Sequence, residues 1–483
     1  MAFLCGAARE KITPPIGTLL YGYRPDLVST SVHDDLTATV VSFSDGTDTM
    51  LLTSVTVGDI DTALDLELRQ KMAAACGVPT ENIILAATHT HSAPNVSGVE
   101  GWGEIDRKYV DTILLPALLK ASADAVSGMA PAELGTAAGH SNIGINRRQH
   151  NRGGYIGLGQ NPWGCYDPNM TAIVIRKQSD HTGIVNLIHY GCHGTACGQS
   201  SEITRDWSGM MIDRIEKETG TLTAFINGAI GDVGPRLTNG CTVGNIAHVE
   251  ELGSCAAFDA MQLVNGVKSF TLPEMIIKHG DVHLPYQKYP PLEEIQSELA
   301  AIEDPEKLIN INRLRYEHLT AVKELLESGN DRVPEHFTYP VMTAVIGNIV
   351  LLPFPFEIFS GISMRLRAYS GYQHTLCLSC ANGYHAYLPT EDQLCLGGYE
   401  VGVFRYASVY RLADNTDEHI INEMLRILES PTLPAWERPI TCGTPILAEQ
   451  FQSTLPAWGT TRALCVPRCR VQISIHAPRM GNE

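Results

Sequence analysis

The segment IILAATHTHSAPN, residues 83–95, runs through five apolar or small residues and then places two histidines, His89 and His91, two positions apart. A run such as Ile83 to Ala87 predicts a short buried strand, and side chains at i and i+2 of a strand share one face. Both imidazoles are therefore expected to emerge together at the strand's end. Ser92, Ala93, Pro94 and Asn95 are turn formers, which puts the pair at the mouth of a loop, where functional sites are commonly built. Histidine is the commonest metal ligand and a zinc site needs three or four such groups converging, so each of the two is a candidate ligand.

Other polar groups stand where apolar runs end. NLIHYGCHGT puts His193 just past such a run, and LLPFPFEIFSG sets the carboxylate of Glu357 between Phe356 and Ile358. A carboxylate buried among apolar neighbours needs a partner or a metal. Tyr387 follows another apolar run in CANGYHAYLP, Tyr399 lies twelve residues beyond it, and Arg147 sits in the glycine-flanked loop GINRRQHNRGG. Cys377 and Cys380 form a C-x-x-C inside TLCLSCANG and read as buried structural thiols.

The elements that must position these groups alternate strand with helix. This predicts an α/β fold, a large single catalytic domain of mixed β-sheets flanked by helices over residues 1–450. TATVVSFSDG and TMLLTSVTV read as a hairpin turning at Asp45-Gly46. DIDTALDLELRQKMAAACG reads as an amphipathic helix, with aspartates in its first turn and Gly77 past its end. Further helices are expected over residues 105–127, 206–218 and 245–264, with strands at TAIVIRK, GIVNLIHYG, LTAFINGAIG, TAVIGNIVLLPFP and HTLCLSCANG. Residues 290–329 read as a charged helical hairpin broken near Pro305, either a solvated insertion or a lid over a site. No internal repeat and no Gly/Ser-rich linker divides the chain.

With 44% hydrophobic and 18% charged residues over 483 positions, the composition is that of a soluble globular protein. A net charge of -18 argues against nucleic acid or an anionic membrane as partner, which leaves a small-molecule substrate. No stretch approaches the roughly 20 apolar residues of a membrane span. The start, MAFLCGAAREKITPPIG, has too short an apolar run for a secretory signal. Thirteen cysteines without framework spacing suit a reducing compartment, so a cytoplasmic location is expected. No oligomeric state follows from the sequence.

The C-terminal end differs from the rest. FQSTLPAWGTT, from Phe451, and ISIHAPRMGNE, from Ile473, share only Pro and Gly in register, yet one DNA string encodes both in different reading frames. That is the layout of a prokaryotic CRISPR array read through as protein, so residues 451–483 are expected to be an accidental extension of a bacterial chain, without function. They carry four arginines and one glutamate on an otherwise acidic sequence.

Together these motifs bring a family into view. The chain resembles the neutral ceramidases, zinc-dependent N-acylsphingosine amidohydrolases, over almost all of its first 450 residues. GAAREKITPPIGTLLYGY is similar to that family's opening signature and AATHTHSAP to its most specific motif. HGTACGQSSEITRDWSG, INRR, FEIFSGISMRLR and NGYHAYLPTEDQLCLGGYE resemble its later motifs, the last with two tyrosines at the same twelve-residue spacing. The resemblance implies that His89, His193, Glu357 and Tyr387 hold Zn2+ and makes His91 a group behind the ligands or an acid/base. It also implies that Tyr399 and Arg147 stabilise the substrate oxygen, and that Asp206 and Gly234 lie with Arg147 at the substrate. Two imidazoles and a carboxylate would leave zinc electrophilic enough to bring a bound water toward a pKa near 7.

Three departures qualify the resemblance. GDVGPR carries Gly234 where the family has a serine, so a reaction needing that hydroxyl is not expected. The family's immunoglobulin-like C-terminal domain and its signal peptide have no counterpart in this sequence, which shifts the expected substrate from ceramide toward a small soluble molecule. The expected activity is hydrolysis of an amide (N-acyl) bond by metal-activated water. A glycosidic or ester bond is the alternative, and a non-catalytic metal- or ligand-binding protein the alternative from another class.

Overall fold

The computed structural model of the protein describes residues 3–99, 103–308, 311–329 and 331–430. The expected domain end at residue 450 and the expected extension from Phe451 lie outside the described residues.

The strands of the first sheet are apolar on both faces, and the two sets of side chains enter different cores. On Thr37–Ser44, Val41 and Phe43 meet Met342, Leu351 and Leu376, while Ala38 and Val40 pack with Leu68 and Leu118. This sheet has eight strands, in the spatial order Thr223–Asn227, Gly183–Tyr190, Asn169–Lys177, Ala130–His140, Leu4–Lys11, Thr37–Ser44, Thr49–Val55, Ile83–Ala87. Its two end pairs, Gly183–Tyr190 with Thr223–Asn227 and Thr49–Val55 with Ile83–Ala87, are parallel. A second sheet, ordered Met275–Pro285, His336–Ile346, Ile349–Pro353, His374–Leu378, packs face to face on the first.

Helices cover both outer faces. Thr62–Cys76 and Leu115–Ser127 lie on one half of the first sheet, and Asp206–Thr219 and Ile246–Gly266 on the other. Ser360–Tyr369 and Thr416–Glu429 cover the second sheet. The result is a helix–sheet–sheet–helix stack, the mixed α/β fold expected. Burial on two faces explains why these strands read as continuous apolar runs. Each buried Val, Leu, Ile or Phe contributes about 1.5–3 kcal/mol, so a one-residue slip that exchanged the two faces would be resisted along every strand.

Local signals act as their chemistry demands. The hairpin turns at Gly46, φ 91°, and the helix Thr62–Cys76 starts at Asp61, whose carboxylate accepts from the N–H groups of Ala63 and Leu64, and stops at Gly77, φ 76°. The helix expected over 105–127 differs: it begins at Arg107, passes through a π-turn at Val110–Leu114 and continues as Leu115–Ser127. Pro116 sits in the first turn of that last piece and has no N–H for the regular ladder, which accounts for the wider turn before it. The hairpin of Leu292–Ala300 and Ile311–Glu327 braces the helix Tyr399–Tyr406. A Cβ at Gly402 would stand 2.5 Å from Ile311 Cγ2.

Candidate active site and metal centre

The apolar run forms the strand Ile83–Ala87, but the two histidines lie beyond it, and the alternation of the pleat does not carry them. His89 adopts φ 63°, a left-handed conformation that costs a non-glycine residue about 1–3 kcal/mol. Thr90 then bridges to Gly194, and the His91 N–H donates to the Gly194 carbonyl at 3.1 Å. This contact, made against the loop that carries His193, turns both imidazoles inward, with their Nε2 atoms 3.2 Å apart. Convergence was expected from strand geometry; it arises from a tertiary contact.

His193 leaves the end of Gly183–Tyr190. Glu357 lies on the short strand Phe356–Ile358, paired in parallel with Ala386–Leu388, so that Glu357 stands directly opposite Tyr387. His89 and His193 thus lie past the ends of the strands Ile83–Ala87 and Gly183–Tyr190, whereas Glu357 and Tyr387 are the middle residues of two short paired strands.

Each imidazole has an acceptor at Nδ1. Gly58 O and Asp59 Oδ1 lie 3.2 and 3.1 Å from that of His89, Gly22 O lies 3.0 Å from that of His91, and Val233 O lies 2.9 Å from that of His193. At His193 the Val233 carbonyl assigns the proton to Nδ1 and leaves Nε2 as a lone pair facing inward, the arrangement by which proteins orient metal-binding histidines. Gly22, φ 115°, is required here, because a Cβ would lie 2.4 Å from His91 Nδ1.

The ligand atoms of His89, His91 and His193 lie within 4.8 Å of one another. Glu357 Oε2 is 2.9 Å from His193 Nε2 and 3.7 Å from His89 Nε2. His193 and Glu357 are 0% and 1% exposed, and neither His193 Nε2 nor Glu357 Oε2 has a hydrogen-bond partner. Two buried acceptors facing each other without a donor are unfavourable, and a cation between them removes the conflict. Imidazole nitrogens with one carboxylate oxygen are a zinc donor set, so the residues present fit the metal.

In the metal-free protein, burial pushes His91 down to about 3, assisted by the positive charge of His89, and drives His193 well below the usual histidine range. Burial opposes protonation of His89 too, yet Asp59 and Glu357 beside it raise its pKa to about 9. Burial lifts the Glu357 carboxyl to about 7 against the pull of His89 and Arg147. Tyr384 donates its hydroxyl to Glu357 Oε1 at 3.1 Å.

Arg147 enters from a separate loop. Its Nη2 donates to the Tyr387 hydroxyl at 3.0 Å and its Nε to Glu400 Oε1 at 2.8 Å, while Arg148 Nη1 takes Glu400 Oε2 at 2.8 Å. Glu400, 1% exposed, thus holds two buried arginines. The ring of Tyr399 stands 5.7 Å from that of Tyr387, centroid to centroid.

Asp206 accepts from the backbone N–H groups of Ala196, Cys197 and Trp207 at 3.1, 2.8 and 2.8 Å, so both its oxygens shape the loop after His193. Gly234 lies beside Arg147 and Thr242: a Cβ placed there would stand 3.3 Å from Arg147 Cβ and 2.8 and 2.9 Å from Thr242 Cβ and Cγ2. Cys377 and Cys380 are buried and without a disulfide, and Cys380 Sγ lies 3.7 Å from His89 Nδ1.

Asp59, Tyr21, Tyr23, Tyr384 and Glu400 were not singled out in the sequence. Asp59 follows the strand Thr49–Val55 in the same strand-then-polar pattern that marks the histidines, and Tyr21 donates to its Oδ2 at 2.6 Å. The Tyr23 ring lies tilted at 55° to that of His91, 5.1 Å away between centroids, with its hydroxyl buried and unpartnered, and no local signal marks it.

The fold is that of the neutral ceramidase from Pseudomonas aeruginosa, which matches with a TM-score of 0.68 and 18% identity over 90% of this chain and 76% of that one. A ceramidase structure complexed with C2 matches with a TM-score of 0.65 and 17% identity over the same shares. No protein-family model and no curated protein matches the sequence. Among the described residues no helix is long and apolar enough to cross a membrane.

Proposed function

We propose that the protein is a zinc-dependent hydrolase cleaving an amide (N-acyl) bond of a small soluble substrate. The observation that carries this reading is the unpartnered pair His193 Nε2 and Glu357 Oε2 at the focus of the histidines. Zn2+ held by His89, His193, Glu357 and Tyr387 would polarise a carbonyl and lower the pKa of a bound water toward 7.

The chain's own groups do the rest. Arg147, fixed by Glu400, sets a positive charge beside Tyr387, where negative charge would develop on the substrate oxygen, and Tyr399 adds a hydroxyl donor. His91 is kept neutral by burial, so its Nε2 is able to accept a proton from the attacking water and return it to the departing amine nitrogen. The likeness in fold to ceramidases supports an N-acyl substrate, and the net charge of -18 supports a soluble one.

The test is elemental analysis of the full chain beside His193→Ala and Glu357→Ala, followed by a panel of N-acyl compounds, esters and glycosides. About one zinc per chain, lost in both variants, with turnover of N-acyl compounds abolished by His91→Ala, is expected. A metal-free wild type after zinc loading would remove the hydrolase and leave a binding protein. Turnover confined to esters or glycosides would change the bond.

A further inference from the structure

Three consecutive residues, Tyr21, Gly22 and Tyr23, close around His91. The Gly22 carbonyl lies 3.0 Å from its Nδ1, and the rings of Tyr21 and Tyr23 stand 5.6 and 5.1 Å from the imidazole, centroid to centroid. The turn is pinned by its backbone: the Tyr21 N–H donates to the Ala93 carbonyl at 2.8 Å, Leu20 bridges to Pro94, and the Leu20 N–H donates to the Leu27 carbonyl at 2.8 Å. Both rings are thereby held against His91.

Their hydroxyls differ. That of Tyr21 is committed to Asp59 Oδ2 at 2.6 Å, while that of Tyr23 is buried without any hydrogen-bond partner, although Tyr23 as a whole is only half-buried. The side chain thus runs inward from the surface and ends in an unused hydroxyl. Burial, with Asp206 and Cys197 nearby, holds it well above the ordinary tyrosine range against the pull of Arg147, so a neutral O–H stands where the loops of His91, Arg147 and Cys197 meet. Asp206 is engaged elsewhere, with backbone N–H groups on both its oxygens. A buried hydroxyl in that state lacks a partner that a bound group would supply.

We propose that Tyr23 contacts the substrate and selects amides: its hydroxyl oxygen accepts the N–H of the scissile amide while His91 serves the same nitrogen. The assignment rests on the hydrolase reading, in which Arg147 and Tyr399 take the carbonyl oxygen and the leaving atom falls to His91. An ester has no N–H to offer there, and a site built around a substrate N–H discriminates against an analogue lacking it.

The probes are para-nitroacetanilide and para-nitrophenyl acetate, which differ only at the scissile atom, given to the zinc-loaded full chain. Tyr23→Phe keeps the ring against His91 and removes only the oxygen, so the amide-to-ester ratio of kcat/KM is expected to fall about tenfold or more. A merely structural tyrosine would lower both activities together and leave the ratio alone. Calorimetric titration of the anilide into the full chain without zinc should show binding about tenfold weaker in the variant. An unchanged ratio, or anilide binding that is absent or equal in both proteins, would overturn the contact. No turnover of either probe by the wild type, with the affinity loss retained, would instead remove the hydrolase and leave Tyr23 as a ligand contact.

Discussion

His193 Nε2 lies 2.9 Å from Glu357 Oε2, each a buried acceptor without a donor, because the Val233 carbonyl already holds the imidazole proton at Nδ1. Replacing the carboxylate by an amide supplies the missing N–H. Glu357→Gln is therefore expected to stabilise the metal-free protein by about 1–3 kcal/mol above pH 7, where the carboxyl is ionised, while removing the stabilisation that zinc confers on the wild type. Urea unfolding with a chelator and with added zinc reads both effects. A variant less stable than wild type without metal would mean that the pair is an ordinary ion pair with a proton on Nε2.

Glu400 is the counter-ion of Arg147 and Arg148, all three buried. Removing it leaves two uncompensated guanidinium groups, so Glu400→Gln is expected to cost about 3–5 kcal/mol. The conservative change keeps the volume, which makes the loss electrostatic. A measured change within 1 kcal/mol, on the scale of exposed pairs, would show that solvent reaches the cluster.

Restoring a serine at position 234 should not restore a function. Its Cβ would meet Thr242, so Gly234→Ser is expected to destabilise by about 1–3 kcal/mol through overpacking. The double variant with Thr242→Ala, which removes Cγ2, should recover part of the loss in the same unfolding assay. Full tolerance of the single change would mean that the Thr242 segment moves aside freely.

His318, half-buried with Nδ1 against the Ser408 carbonyl, is lowered by burial to about 4. Its unfolded form takes a proton below about 6.5 and the folded form only near 4, so stability is present above pH 6.5 and is lost as pH falls through that window. With allowance for its partial exposure, the loss is about 1–2 kcal/mol. Stability measured from pH 7 to 4.5 should fall less steeply in His318→Gln, and an unchanged slope would assign the pH dependence to other groups.

The sequence by itself determined the strands whose two faces are both buried, since a continuous apolar run needs no partner to be recognised. It also determined the ends of Thr62–Cys76, written in Asp61 and Gly77, and the positions of His89 and His193 just past apolar strands. The tertiary structure decided what those strand ends face. His89 and His91 meet because Thr90 and His91 pair with Gly194, more than a hundred residues away, and not because a strand alternates. No local signal shows that three backbone N–H groups of the turn at Asp206 donate to its two oxygens. Glu400, adjacent to Tyr399, gave no sign of holding two arginines some 250 residues upstream. Local propensity acts over a few residues and is legible in order along the chain; a site's electrostatics are set by which distant groups burial forces together, and only the packed fold specifies that.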